Sequence, residues 1–367
     1  MLINLNYGGK LQMNYNFAIL KNETKDDHLG WIIACENSKY NIKYKVIDIT
    51  KNDWLENVLS EDFDCILTRA TGTISYFKQL YDERLYVINN ILKKKIYPTY
   101  EEILIYENKR MLSYWLDANN IPHAKTWIFY HKEEAMQFAK YCAFPVVAKT
   151  AIGASGSGVK IFDNKLKLIS YINKAFSDKG ITRKWTPNLR KGKIKERILK
   201  RIKDIPGFLR YLEDRHKSAT IDPQKWFVIF QEYIDAIAEW RTVRIGDSFF
   251  AHKKQRKGKT FSGGGGIDWD GPSDKLLDFM KMVTDKRKFL SQAIDIFEDN
   301  NGNFYVNELQ CFFGFIHPHH QMIINGKPGR YIYIRGKWIF EEGTFNTNNS
   351  YNLRLEHIIQ LLENDQL

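Results

Sequence analysis

The 367-residue sequence has only four cysteines, Cys35, Cys65, Cys142 and Cys311, scattered and without a C-x-x-C pair. That spacing excludes a cysteine zinc site and a disulfide framework, and it suits a reducing cytoplasm. No run of about 18 apolar residues occurs, so no membrane-spanning helix is expected. The N-terminal stretch MLINLNYGGKLQMNYNFAIL has no charged head followed by an apolar core and a small-residue cleavage site. No signal peptide is therefore expected, and the cytoplasm is the expected compartment. A disordered composition is also missing: 44% of residues are hydrophobic and 14% aromatic, enough for the cores of two or three domains. Internal repeats are absent. So is an even spread of charge. The net charge is +12, but 181–225 holds 14 Lys/Arg against 5 Asp/Glu, a net of +9, which leaves about +3 for the rest. The excess is local, which argues against a nucleic-acid-binding surface spread over the whole chain.

What is present includes a glycine-rich stretch, AKTAIGASGSGVK, from Ala148 to Lys160. Gly153 and Gly158 have the spacing of a Walker loop, but Val159 stands where that loop has lysine, and the glycines run in the wrong order for a dinucleotide fingerprint. The flanks, FPVVAKT and GVKIF, read as β-strands, so the loop joins two strands in a hairpin, whereas a Walker loop opens a helix. Lys149 lies in an apolar run just before the loop. Burying it is costly unless it meets an anion, and the alternative is a lysine on the solvent face of the strand.

The fold class expected is α/β, with more mixed α+β character after the first unit. NFAILK (16–21), YKVIDI (44–49) and DCILT (64–68) read as strands separated by helical patterns, including 73–95, which suggests a parallel α/β domain over 1–105. Helices are expected at 108–119, 132–142 and 273–292, and in LRLEHIIQLLE near the end. Strands are expected at 226–234, in a hairpin within 239–258 turning at Gly246-Asp247, in a second hairpin over 293–310 turning near Asn301-Gly302, and in a pair at 331–340. In the second hairpin Glu308 and Gln310 are two apart and share a face, and Asp295 lies opposite them. Three oxygen donors on one face, two of them carboxylates, suit Mg²⁺; the alternative is an exposed polar face.

Five pieces in order, ENKRMLSYWLDANNIPHAKTW, FPVVAKTAIGASGSGVKIF, FQEYI, EWRTVRIGD and IDIFEDNNGNFYVNELQ, give a pattern that resembles the ATP-grasp superfamily of carboxylate–amine ligases from about Tyr106 to Gly314. The resemblance implies an N-terminal Rossmann-like domain (1–105), a central lobe (106–230) and a C-terminal lobe (231–367), the two lobes clamping ATP. It implies that Lys109 and Lys149 contact the phosphates, with Gly153, Ser155, Gly156, Ser157 and Gly158 forming a flap that is mobile without nucleotide and ordered with it. Glu232 and the backbone of Tyr233 and Ile234 read the adenine, and Glu239 holds the ribose. Asp295, Glu308 and Gln310 bind Mg²⁺, while Arg241 and Arg256 face the phosphates or the acyl intermediate. Two departures stand out: Glu-Leu-Gln replaces the usual E-x-N, and Glu239 takes the place of a more usual Asp. The implied reaction uses ATP to join a carboxylate to an amine, the substrates being small molecules, peptides or sugar acids; homodimerisation is left open.

The basic segment 181–225 is read either as a solvated helical excursion or as a site for an acidic substrate. Its sparse aromatics argue against stacking on nucleic acid, and a polyanion-binding protein is the rival class. Glycines 263–266 are read as a substrate-facing loop or a plain connector, and His317, His319 and His320 fit no standard zinc spacing.

Overall fold

The computed structural model describes residues 11–24, 26–70, 74–153, 156–183, 213, 216, 220–255, 261, 266–269, 271–313 and 321–367. Ser155, Arg256, glycines 263–265, the three histidines at 317–320 and most of the basic segment lie outside the described residues.

The N-terminal unit alternates strand and helix: β1 (Leu11–Lys21), α1 (Leu29–Glu36), β2 (Tyr40–Asp48), α2 (Trp54–Leu59), β3 (Cys65–Leu67), α3 (Ser75–Tyr86) with a single π-turn after it, and β4 (Ile96–Tyr97). The four strands form a parallel sheet in the order β2-β1-β3-β4. A parallel sheet is covered on both faces, which explains the unbroken apolar run of β1. Phe17 and Ile19 face Trp31, while Ala18 and Leu20 face Tyr81 and Leu85.

Next come α4 (Tyr100–Ile105), α5 (Lys109–Ala118), β5 (Thr126–Phe129), α6 (Lys132–Tyr141), β6 (Val146–Lys149), β7 (Val159–Phe162), α7 (Lys165–Ala175) and β8 (Val228–Glu232). Strands β5-β8-β6-β7 form a small antiparallel sheet. Its alternation is clean: Val146, Ala148, Val228 and Phe230 pack on α6 and α7, which sends Val147, Lys149 and Ile229 to the other face. The glycine-rich stretch is a β6–β7 hairpin, closed by Thr150 N–H to Gly158 O at 3.0 Å and Val159 N–H to Gly156 O at 3.2 Å. Gly158 has no room for a side chain, since a Cβ would lie 1.8 Å from Thr150 Oγ1, and Gly156 sits at φ +71.

The third unit holds β9 (Ala238–Ile245), β10 (Ser248–Lys254), β11 (Ile267–Asp268), α8 (Asp274–Asp285), β12 (Ser291–Glu298), β13 (Phe304–Gln310), β14 (Ile323–Ile324), β15 (Lys327–Ile334), β16 (Lys337–Glu342) and α9 (Tyr351–Glu363). An eight-stranded sheet runs β13-β12-β9-β10-β15-β14, with β11 beside β10 and β16 beside β15. One face carries Trp240, Ala251, Ile294, Ile296, Val306 and Leu309 against α5 and α8. The strand pair expected at 331–340 is thus longer and joins this sheet through Phe249↔Tyr331.

Two expectations change. The helix expected over 273–292 ends at Asp285. Lys288 turns left-handed at φ 53, and the buried Glu102 carboxylate accepts the N–H groups of Leu290 (3.1 Å) and Ser291 (2.9 Å), fixing the start of β12. The last helix, grouped with the third unit by the 231–367 boundary, packs Tyr351, Leu355, Ile358 and Ile359 on the N-terminal sheet around Trp31 and Phe17.

Candidate functional site

The face of the large sheet away from α5 and α8 is polar near β12. Glu308 pairs with Asp295, Asp295 with Arg241, and Arg241 with His252, so four side chains from four adjacent strands form one row. The next row sets Glu239 opposite Lys254. Arg241 Nη1 donates to Asp295 Oδ1 (3.0 Å) and to Gln310 Oε1 (2.9 Å), which brings the three expected metal ligands to one place. Lys254 Nζ lies 2.8 Å from Asp295 Oδ2 and also pairs with Glu239, which is only 2% exposed.

Asp295 is buried, which by itself would raise its pKa; the adjacent Arg241 and Lys254 outweigh burial and hold the carboxyl below its ordinary value. Across the row, burial pushes His252 down to about 3, so the imidazole is neutral, with its Nδ1 3.0 Å from Gln321 O.

From the other side come two lysines. Lys109 opens α5, whose N-cap Asn108 accepts the Met111 N–H at 3.2 Å. Its Nζ lies 3.3 Å from Glu308 Oε1 and 3.7 Å from Glu107 Oε2, and donates to Gly153 O at 2.9 Å. Burial would lower this lysine; Glu107 and Glu308 win and raise it. Lys149, at the end of β6, donates to Asn307 Oδ1 at 3.0 Å. That contact is to a neutral amide, and burial pushes Lys149 down to about 8. Gly153, at φ +143, points its N–H at Glu107 Oε2 (3.3 Å).

Lys109, Lys149, Gly153, Glu239, Arg241, Asp295, Glu308 and Gln310 therefore meet in one cleft between the small sheet and the large one. Glu232 ends β8, and Tyr233 and Ile234 begin the connection to β9, with Glu232 exposed and the other two half-buried. Gly156, Ser157 and Gly158 lie in the hairpin turn. Among the described residues no three His, Cys, Asp or Glu side chains form a metal-holding group; the third donor beside Asp295 and Glu308 is the Gln310 amide oxygen. That donor set, all oxygen and two-thirds carboxylate, fits Mg²⁺ in kind.

Sequence reading missed three residues here. Asn307 reaches the cleft because the β12–β13 register slips between Asp295 and Ile296, a bulge that sets Asn307 and Glu308 against one partner position. Glu107 matters through burial and its left-handed backbone (φ 49), neither of which has a sequence signature. Lys254 was within reach: counting outward from the Gly246-Asp247 turn sets it opposite Glu239.

Comparison with known proteins gives an independent view. The family described as carbamoyl-phosphate synthase L chain, ATP binding domain, matches residues 109–190. The alpha-aminoadipate–LysW ligase LysX of Saccharolobus solfataricus is 29% identical over 133 residues, 35% of this chain; the chain spans about half, 46%, of that relative's length. Among solved structures, the D-alanine–D-alanine ligase of Bacillus anthracis superposes with a TM-score of 0.55 at 12% identity, covering 96% of this chain and 98% of that one. The N5-carboxyaminoimidazole synthetase of Staphylococcus aureus in complex with ADP gives 0.52 at 13%, covering 89% and 84%. At such identities the likeness is one of fold. The fold is shared along most of the chain with a ligase and a synthetase, and residues 109–190, which run across α5 and the β6–β7 hairpin, match an ATP-binding family: the chain has the ATP-grasp fold.

Proposed function

We propose that the protein is an ATP-dependent carboxylate–amine ligase working through an acyl phosphate. The observation that carries this reading is the meeting of Lys109 and Lys149, from α5 and β6, with Glu308 and Asn307 on β13. Cations for a polyphosphate thus stand beside a carboxylate for its metal: Lys109 is paired with Glu308, while Lys149 meets the neutral Asn307 amide.

Asp295, Glu308 and Gln310 are the residues that would hold Mg²⁺. When bound, the ion supplies positive charge against the phosphate oxygens during transfer. Lys109 and Lys149 bind the phosphates. Gly153 turns its N–H from Glu107 toward a phosphate oxygen, and the hairpin closes to exclude water from a hydrolysable intermediate. Tyr233 and Ile234 present backbone groups to the adenine, and Glu239 the ribose, for which it must exchange its bond to Lys254. Arg241 orients Asp295 and Gln310 and faces the phosphates. Arg256 serves the tetrahedral oxyanion.

The substrate carboxylate oxygen bonds to the γ-phosphorus as the bond to ADP breaks. The amine nitrogen then bonds to the acyl carbon, loses a proton and expels phosphate. The test is a screen of carboxylate–amine pairs for ADP release, with mass detection of the product. Release that requires both partners and yields the amide is expected; ADP release indifferent to every acid and amine would overturn the reading. Closure has its own test. Amide exchange at Gly156 and Ser157 is expected to slow at least about tenfold with a non-hydrolysable ATP analogue and Mg²⁺. Equal exchange in both states would remove the flap role.

A further inference from the structure

Two arginines outside this cleft have no use in the scheme above. Arg69 follows β3 at the carboxyl end of the parallel sheet. Arg354 is on α9, the helix that crosses back onto that sheet. Arg354 is 1% exposed and the Arg69 side chain 19%. The Arg69 backbone is pinned on both sides, its N–H donating to Tyr81 Oη (2.9 Å) and its carbonyl accepting from Asn22 Nδ2 (2.9 Å). The guanidiniums lie over consecutive rings, Arg69 over Phe312 at 5.1 Å and Arg354 over Phe313 at 4.2 Å.

The polar contacts of the pair are incomplete. Arg354 Nε donates to Ser291 Oγ at 3.1 Å, but its Nη2 is buried with no hydrogen-bond partner among the described residues. Arg69 Nη2 is 3.4 Å from Asp27 Oδ2, while its Nε and Nη1 are buried without hydrogen-bond partners among the described residues. Aromatic faces offset part of the charge, but they satisfy no in-plane N–H donor. Two neighbouring buried cations with three orphan donors are costly as they stand. Burial and, further down, the charge of Arg69 push Arg354 below its ordinary value. An anion with planar or tetrahedral oxygens would satisfy the orphan donors, because the guanidinium fork matches carboxylate and phosphate.

The position also points to a ligand. Phe312 and Phe313 come directly after Gln310 and Cys311, at the end of the strand that carries Glu308. Ser291, the partner of Arg354, lies on β12 on the same face as Asp295, four residues or about 13 Å along the strand. Phe313 packs over the ground between them, with Ala293, Val243 and Phe250.

We propose that Arg69 and Arg354 form a binding site for a second anionic group, a carboxylate or phosphate, of the acid activated in the neighbouring cleft. The acid is thus dianionic, with one carboxylate at the Asp295–Glu308 row and the other anionic group at the arginine pair. Its role as substrate rests on the proposed function; the anion site itself does not.

The test needs no turnover. Thermal unfolding of the full chain is followed at constant ionic strength with glutarate, acetate or inorganic phosphate, and separately with Mg-ATP. Glutarate or phosphate is expected to raise the wild-type midpoint where acetate at the same concentration does not. Arg69→Met and Arg354→Met should each weaken that effect about tenfold or more while keeping the Mg-ATP shift. Without ligand Arg354→Met should be at least as stable as wild type, because a buried charge with no carboxylate beside it has gone, whereas Arg69→Met also forfeits the partly exposed Asp27 ion pair and should change little. Should a methionine variant not fold, Arg69→Lys or Arg354→Lys, which keeps charge but loses the fork, is expected to show the same loss. Glutarate acting at the lower concentration assigns a carboxylate, phosphate at the lower concentration a phosphate ester. No response beyond acetate, or one undiminished in all variants, overturns the site. Loss of the Mg-ATP shift with the anion response intact would instead count against the proposed function alone.

Discussion

Glu308→Ala is expected to cut substrate-dependent ADP release by at least about a thousandfold, the scale of losing a group that holds a catalytic metal, while the protein stays folded. The two outcomes separate because of what surrounds the carboxylate. Glu308 is partly exposed, its side chain at 22%, and its ion-pair partner is Lys109. When it is removed, Lys109 keeps Gly153 O at 2.9 Å and Glu107 at 3.7 Å, so no buried cation is orphaned. The stability cost should be about 1 kcal/mol, that of a partly solvated charged contact. Asp295 is different: it is buried between Arg241 and Lys254, and removing it would leave two cations facing each other. Glu308 therefore gives the cleaner experiment. Glu308→Gln, which keeps an oxygen donor and loses the charge, should fall between alanine and wild type. ADP release and the thermal midpoint, measured on the same preparations, decide it; unchanged turnover in Glu308→Ala would overturn the metal assignment.

How far such residues could be found without a structure depends on how local their cause is. That Asp295 faces the Glu308–Gln310 end of β13 follows from two features of the sequence, a turn near Asn301-Gly302 and the period-2 alternation of the strands. Its pairing with Glu308 itself is set by the bulge, since the register from Glu298↔Phe304 to Ile296↔Val306 leads on to Asn307. The β6–β7 hairpin follows from strand-like flanks around glycines that fit neither phosphate-loop pattern. Asn307 fails that logic because the bulge that turns it inward comes from docking β13 in the sheet. The end of α8 fails because its stop comes from Glu102, distant in sequence, capturing two amides. The place of α9 on the N-terminal sheet fails because its apolar stripe does not say which face it covers. The arginine pair is the extreme case. Arg69 and Arg354 are 285 positions apart in number, and neither lies in any of the pieces that carry the family resemblance. Only burial shows that their donors are unmet.

Lys149→Met is expected to divide stability from function. Lys149 Nζ has a neutral partner, Asn307 Oδ1 at 3.0 Å, and burial brings its pKa down to about 8, against about 10.4 for a free lysine. Because the folded value lies below the unfolded one, the unfolded chain binds more protons between about pH 8 and pH 10. Stability contributed by this group therefore rises with pH across that window, and below pH 8 its full cost, on the order of 1–3 kcal/mol, is present. Methionine fills similar space without charge, so the variant without nucleotide should be more stable than wild type at pH 7 and lose that pH-dependent rise. Nucleotide reverses the sign. A phosphate beside Lys149 favours the charged amine, so wild-type ATP affinity should decline above about pH 8, approaching tenfold per unit. In Lys149→Met the decline should disappear, and kcat/KM for ATP should be about a hundred to a thousandfold lower at pH 7. Paired denaturation and ATP-titration series from pH 6.5 to about 9.5 read both effects. A less stable variant with wild-type ATP affinity at every pH would mean that Lys149 is a packing residue, and the cleft would need another cation for the phosphates.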